Sequence, residues 1–482
     1  MITGLGIILL PICLFYWRTP ARLLELAFVG SAFAAAAVIV MGGYGVSPGL
    51  VPTALFIGFF ALKTVFGTRY PGERIALRVL LPFIIAVIGG LASSVLLPRF
   101  FAGVIFVWPQ KMSGFGVIAP LMPNAGNITQ DLYLILNAAL TITAAIYLTR
   151  PGFDLYRLLN AYLLSGLMVV AISLWQFLGN IAGIWFPTDF FLSNPGWALL
   201  SDETVGGLVR LTGPFSEPAA LAQYLCGSVC AAGWMILNGS RARLPRLLLA
   251  SGLIVIILST STTGYAALLI LSAILIAYTL FAGSPRLRRR VAAGVTGALA
   301  LAGAAAVTVP AIAPGVARQA VVITEATFTK QSSSSYTDRV TADRDSMHEL
   351  VESYGLGVGW GSNRSSSLIP GLCAALGGWG ILLLLWFAVS IAGHVRVAQR
   401  AATSTAPRMV MHGCAGGILG TLTAAVLSAP AITSPDFFLL LALLIGAAAR
   451  VRCEALAAGR STAPQASFVG RRTFDISSLR IG

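Results

Sequence analysis

From Ile2 to Ala449 the chain is a succession of apolar runs, separated by connections in which nearly all the charge is gathered. A membrane span needs about 20 mostly apolar residues. Runs of that order fall at Ile2–Trp17, Leu23–Gly42, Leu50–Phe66, Val79–Leu97, Leu132–Leu148, Ala161–Phe186, Ala219–Leu237, Leu247–Leu258, Tyr265–Ala282, Val291–Ile312, Leu368–Ile391, Met409–Leu427 and Phe437–Ala449. A soluble fold has no core able to hide so many. Of the 482 residues, 57% are hydrophobic and 10% charged, and the mean hydropathy is +0.85. The expected fold is all-α: a polytopic membrane helix bundle of about 12–13 transmembrane helices. The stretch from Leu247 to Ala282 is too long for one span, and Ser259-Thr260-Ser261-Thr262-Thr263-Gly264 divides it in two.

The net charge of +15 reads as topology, with no basic–aromatic stretch that would suggest nucleic acid. Basic residues follow the first, third, fifth, seventh, ninth and eleventh runs, from Arg18 and Arg22 through Arg286–Arg290 to Arg396, Arg400 and Arg408. Every second connection is basic, and roughly three quarters of the Lys and Arg share one side, as the positive-inside rule requires. The N-terminus is expected outside and the C-terminus inside. No basic residue precedes the first run and no small-residue cleavage pattern follows it, so it reads as a retained helix. Residues 1–450 form the membrane domain, and 451–482 a basic, Ser/Ala-rich cytoplasmic tail expected to be disordered. Three longer connections, about 101–130, 187–218 and 313–367, go outside, two of them large. Cys13, Cys226, Cys230, Cys373 and Cys414 lie inside apolar runs and Cys453 in the tail, so no disulfide shapes those loops.

Chemistry is therefore sought in the outer connections. The second ends in Arg210-Leu211-Thr212-Gly213-Pro214-Phe215-Ser216-Glu217-Pro218 and opens directly into a helix, with Pro218 in its first turn and Glu217 at its positive end. In the third, Tyr336 to Tyr354 reads as a helix ended by Gly355. Tyr336, Val340, Met347, Leu350, Val351 and Tyr354 share one face, which is expected to dock on the bundle and hold Arg339 and Arg344 over it. Asp343 can pair with Arg339 one turn away. The alternating Gly355-Leu356-Gly357-Val358-Gly359-Trp360-Gly361, followed by Arg364, allows a backbone to approach a ligand and offer it N–H groups. His348, the one histidine in an outer connection, is a candidate base. Asp343 and Asp345 spell D-x-D, but positions i and i+2 of a helix do not face each other, and no metal is expected.

In order and spacing these segments resemble the Wzy-type O-antigen and exopolysaccharide polymerases. The resemblance rests on R-x-x-G-x-F-x-E-P at Arg210–Pro218 and the S/T-rich break at Ser259–Tyr265. It adds Arg339 and Arg344 ahead of Leu356–Gly361, and Trp175-Gln176-Phe177 in the helix before. It covers about Ser173 to Gly380. It implies a metal-independent glycosyltransferase of the bacterial inner membrane, without a cofactor, that polymerises undecaprenyl-pyrophosphate-linked oligosaccharide repeats on the periplasmic face. A chain-length regulator and a flippase are its implied partners. On that reading Arg210, Arg339 and Arg344 take the charge growing on the pyrophosphate, and Glu217 or His348 takes the acceptor proton. Gly213, Trp197, Gly357, Gly359, Trp360, Gly361 and Arg364 bind substrate, with the tryptophans against sugar rings. The related O-antigen ligases share the architecture and use a loop histidine, though Met347 and Glu349 flank His348 in place of their usual context. A transporter is the reading from another class, but ionisable groups are scarce in the middle of the runs, with Glu25 and Lys63 near span ends.

Overall fold

The structure is a computed structural model that describes residues 1–110, 118–196, 204–205, 208–281, 283–312, 321–322, 325, 334–429 and 431–462. It is an all-α polytopic bundle. In chain order the described helices are α1 (Gly4–Phe15), α2 (Pro20–Ser31), α3 (Leu50–Val65), α4 (Glu73–Phe100), α5 (Ala125–Tyr147), α6 (Leu155–Ala182) and the single turn α7 (Thr188–Phe191). There follow α8 (Pro218–Leu237), α9 (Arg243–Leu258), α10 (Thr262–Phe281), α11 (Pro285–Ile312), α12 (Ser334–Glu352), α13 (Leu368–Ala401), α14 (Thr405–Ser428) and α15 (Pro435–Thr462). Short antiparallel hairpins pair Ile39–Met41 with Tyr44–Val46, Phe106–Val107 with Ala119–Pro120, and Thr204–Val205 with Leu208–Val209. Helix starts follow local chemistry. Thr3 caps α1 through Gly6 N–H, Asn124 and Asn127 form a capping box on α5, and Asp154 caps α6.

Seven of these helices are long and apolar enough to cross a membrane: α4, α5, α6, α8, α10, α13 and α14. The protein is therefore membrane-embedded. Each of the other six apolar runs also coincides with a helix, but Leu23–Gly42 does so only in part. Helix α2 stops at Ser31, and its 12 residues reach about 18 Å, short of a ~30 Å hydrocarbon layer. The chain then runs irregularly, with Ala35, Ala36, Ala37 and Val38 fully buried. Ala35 donates to Pro214 O, Ala37 N to Ser193 Oγ, and Val38 N to Val46 O. Irregular backbone so fully buried is tolerated because protein encloses it and supplies its partners. The tail expectation also changes at its start, since α15 runs on past Arg450 to Thr462. Residues 463–482 lie outside the described residues.

Two ends are distinguished by what is tied together there. At one, Gly72 N–H meets Thr149, Arg157 meets Glu25, Arg290 meets Leu237 O, and Arg450 meets Phe153 O. This basic end carries the short arginine-rich turns. At the other, the connections after α2, α4, α6 and α12 interlock, as in the bonds Asn194 N to Ala35 O and Arg364 N to Trp108 O, and Asn137 Nδ2 of α5 reaches Thr433 O in the connection after α14. This is the loop end.

Candidate functional site

The loop-end segment before α8 is built around Gln176 of α6. Its Oε1 accepts from Thr212 N (3.0 Å) and Gly213 N (2.8 Å), and its Nε2 donates to Thr212 Oγ1 (3.1 Å). A side-chain amide has thus replaced a strand partner for this stretch. Gly213 sits at φ +55, where a Cβ would lie 2.5 Å from Ser173 Oγ. Its glycine is required by the turn and by close approach to α6, which accounts for the residue without a ligand. Phe215 is buried against Tyr224 at 5.3 Å. The segment is a fixed platform, with Arg210 entering it and Glu217 leaving it.

Arg210 donates through Nη2 to Thr260 O at 3.4 Å. Thr260 lies in the break between α9 and α10, at φ +50. A β-branched residue rarely adopts that backbone, and it is held here by Ser259 and Ser261, whose hydroxyls bond Ile256 O and Gly264 N. Arg210 and the S/T-rich break, 50 residues apart in sequence, are thus joined. Glu217 is the N-cap residue of α8 but makes no side-chain cap bond. Its carboxylate instead faces Arg339, with Oε2 3.9 Å from Nη2. Arg339 also donates to Ser428 Oγ at the end of α14 (3.3 Å). Arg364 completes the group. Burial pulls its pKa below the ordinary arginine value, with Glu217 acting to raise it and the neighbouring Arg339 to lower it. Arg339 thus faces this carboxylate, and half-buried Arg364 lies close enough to feel both charges.

Helix α12 docks through a face other than the one its apolar residues predict. Ala342, Ser346, Glu349 and Ser353 are buried, whereas Tyr336, Val340, Met347, Val351 and Tyr354 are exposed. Small residues let backbones approach closely, and this 4-3-4 spacing is the seam that packs against α13 and the Phe106–Val107 strand. The expected Arg339–Asp343 pair does not form. Asp343 accepts from Ser366 N (2.7 Å), Ser367 N (2.9 Å) and Ser367 Oγ (2.6 Å), which caps the start of α13. Asp345 accepts from Trp108 Nε1 (2.9 Å), so the two acids of D-x-D serve separate donors. Arg344 and His348 are exposed, with no hydrogen bond or ion pair among the described residues. At 100° per residue, nine residues place His348 opposite Arg339 on the helix.

The glycine run has a packing role that the expectation of a ligand cradle missed. Gly355, Gly357, Gly359 and Gly361 all have positive φ. A Cβ on Gly357 would meet Ala374 O and Gly377 N at 2.7 Å, and one on Gly359 would meet Ser93 O at 2.7 Å. The amides are turned inward, with Gly357 N bonding Ser353 Oγ, Val358 N bonding Ala374 O, and Trp360 N bonding Ser93 Oγ. Trp360 is pinned by Nε1 to Gln130 O. Trp197 lies outside the described residues.

Two groups at this end were not singled out from the sequence: Ser428, which holds Arg339, and Glu349. The Glu349 carboxyl is buried, with both oxygens unbonded among the described residues. Burial, then Asp345 and Glu352, push its pKa from 4.5 to about 9, so it is neutral at neutral pH. Its place in the small-residue seam was readable; its isolation there was not. Among the described residues no three His, Cys, Asp or Glu side chains could share a metal ion. Two cavities of ≈470 and ≈460 Å³ lie at the basic end, around Arg150 and Tyr147, and no residue of this cluster lines them. No protein-family model matches the chain, and neither does any curated protein.

Proposed function

We propose that the chain is a polymerase of lipid-linked glycan repeats, taking undecaprenyl-pyrophosphate-linked oligosaccharide at the loop end of the bundle. The observation that supports this most is the meeting of Glu217, Arg339 and Arg364 beside a rigid loop. Bidentate, permanently charged guanidiniums suit the two phosphates of such a donor. In the reaction an acceptor hydroxyl oxygen attacks the anomeric carbon of the donor glycan. The carbon–oxygen bond to the pyrophosphate breaks, and the electron pair leaves with undecaprenyl pyrophosphate. Arg339 and Arg364 take up the charge that grows on the leaving phosphate, and Arg210 supports them from the Thr260 break. The acceptor proton passes to Glu217, which is already oriented away from its helix cap. On this reading the loop end is periplasmic, the N-terminus lies there, and the basic end with the C-terminus is cytoplasmic. His348 does not favour a ligase, because it lies on the side of α12 opposite Arg339.

The decisive experiment uses purified full-length protein in nanodiscs with an undecaprenyl-pyrophosphate-linked repeat. The reading requires a ladder of longer lipid-linked glycans and one undecaprenyl pyrophosphate released per addition. Movement of the repeat across liposomes without any ladder would overturn it in favour of a transporter. Reporter fusions at Asn194 and Arg243 test the orientation, the first external and the second cytoplasmic.

A further inference from the structure

Helix α12 has three faces. Taking Ala342 as zero and 100° per residue, the buried seam of Ala342, Ser346, Glu349 and Ser353 lies within about 40° of it. The exposed apolar residues Tyr336, Val340, Met347, Val351 and Tyr354 occupy about 120–180°. Arg344, His348 and Glu352, all exposed, follow at about 200–280°. An ordinary surface helix has two faces, one for the core and one for water. A third, apolar and exposed from Val340 to Tyr354, needs another solvent. Val351 is 73% exposed and Tyr354 89%, far more than chance single residues on a wetted surface would explain in a row.

The position of the helix says which solvent. Asp343 holds Ser366 and Ser367, and Gly355 O accepts from Gly378 N, so α12 runs beside the first turns of α13 in the same direction. Gly377, at φ 66 and ψ −174, then kinks α13. Beyond the kink α13 continues for 24 residues to Ala401, about 36 Å and enough for a span. Its outward residues there, Leu382, Leu385, Trp386 and Val389, are exposed and apolar, as lipid-facing residues are. The apolar face of α12 ends at Tyr354 and Leu356, and Leu356 O is bonded by Trp379 Nε1, so the stripe continues into that face. Tyrosine and tryptophan at the junction are the residues favoured at a bilayer interface.

We propose that α12 is an interfacial helix, with its Val340–Met347–Val351–Tyr354 stripe seated in the headgroup–acyl boundary of the bilayer and its Arg344–His348–Glu352 face in water. Lipid then fixes the rotation of α12 and with it the placement of Arg339. The occupant is the bilayer itself, and the inference does not depend on the polymerase reading.

The native protein supplies the test through two adjacent residues. In hydroxyl-radical footprinting of full-length protein in phosphatidylethanolamine–phosphatidylglycerol nanodiscs, His348 should be modified and Met347 protected. Met347 should react roughly tenfold more slowly than in a solvent-exposed peptide, since its sulfur would sit about 5–10 Å into the boundary. Spin labels identify what protects it. A label on Val351→Cys should show the oxygen-over-nickel accessibility of one on lipid-facing Leu385→Cys, and one on Glu352→Cys the reverse, with unlabelled parent cysteines subtracted. Rapid oxidation of Met347 would overturn the proposal. So would a Val351 label shielded from both quenchers, whether a second copy covers it, seen as dipolar broadening between labels, or another segment of the chain does.

Discussion

The two ends of the bundle use arginine in different ways. At the basic end Arg22 and Arg157 each reach Glu25 at 2.7 Å, and Arg450 reaches Glu454 at 2.8 Å. These are short contacts in which one partner is largely exposed, Arg157 at 51% and Glu454 at 58%, with more arginine around them than acid. At the loop end Arg339 stands 3.9 Å from Glu217, a looser contact by distance. There, however, each partner is fixed from behind, Glu217 by the platform on Gln176 and Arg339 by Ser428 and the docked seam of α12. If the loop end is the site, distance alone ranks the ends wrongly. On the proposed reading, fixed geometry makes a charge useful for catalysis, whereas number and side make it useful for topology.

Substitution at both ends tests that difference directly. Arg339→Lys keeps the charge but loses the planar fork, and the rate of glycan extension should fall about 10²–10³-fold, equivalent to roughly 3–4 kcal/mol of transition-state stabilisation. Arg157→Gln should leave extension unchanged and alter stability by at most about 1 kcal/mol, as exposed ion pairs do. Rates would be read from ladder growth in nanodiscs at matched protein levels. If Arg339→Lys extends glycan normally, the loop-end arginines are as dispensable as the basic-end ones.

Carboxylates differ between the ends as well. Glu25 has two arginine partners, whereas Glu349 is buried with none among the described residues. Because the folded pKa of Glu349, about 9, lies above its ordinary 4.5, folding favours the protonated form. Its contribution to stability is full below about pH 4.5 and declines as pH rises towards 9, because the unfolded chain ionises first. Glu349→Gln removes that slope. At pH 8 it should stabilise the purified protein by a few kcal/mol, since each tenfold change in proton affinity is worth about 1.4 kcal/mol and relaxation of the site recovers part of the total. The advantage should shrink towards pH 5, measured as the midpoint of thermal unfolding. A pH-independent difference would place Glu349 in contact with water. A change of opposite sign, a loss of about 1–3 kcal/mol, is expected for Gly359→Ala, which puts a Cβ against Ser93 O at a left-handed position.

Most of the bundle was legible because apolar length and alternating charge are one-dimensional signals. The break at Ser259–Gly264 and the start of α8 at Pro218 also lie where local chemistry puts them. Misreadings arose where apolarity had more than one cause. Ala35–Val38 is apolar because protein surrounds it, whereas α10, mostly unburied, faces outward. Sequence does not distinguish these environments. The same ambiguity misplaced α12, whose apolar stripe looked like a docking face while the true seam was hidden in Ala342, Ser346 and Ser353. In the candidate site, Glu217, Arg339 and Arg364 are marked by residue type and loop position, as is Arg210, which the fold ties to Thr260. Asp343, the glycines and Trp360 look like site residues on the same grounds, but the folded chain uses them for capping and packing.

The smallest expected effect separates the two faces of one helix. Arg344 and Arg339 are five residues apart, about 140° around α12. Arg339 faces Glu217 and Ser428, whereas Arg344 is exposed beside His348 and Glu352. If charge near the loop end were sufficient, Arg344→Ala would weaken extension about as much as Arg339→Ala. If position relative to the fixed platform decides, Arg344→Ala should leave the extension rate within about twofold of wild type, as substitutions away from a site do. His348→Ala should behave the same way, and the pH profile of extension should not move, since no proton passes through that side of the helix. The measurement is ladder growth from pH 5.5 to 8.5 for both variants. A tenfold loss in His348→Ala with an altered pH profile would bring the histidine into the reaction, and α12 would then have to rotate by about half a turn between its resting and working states.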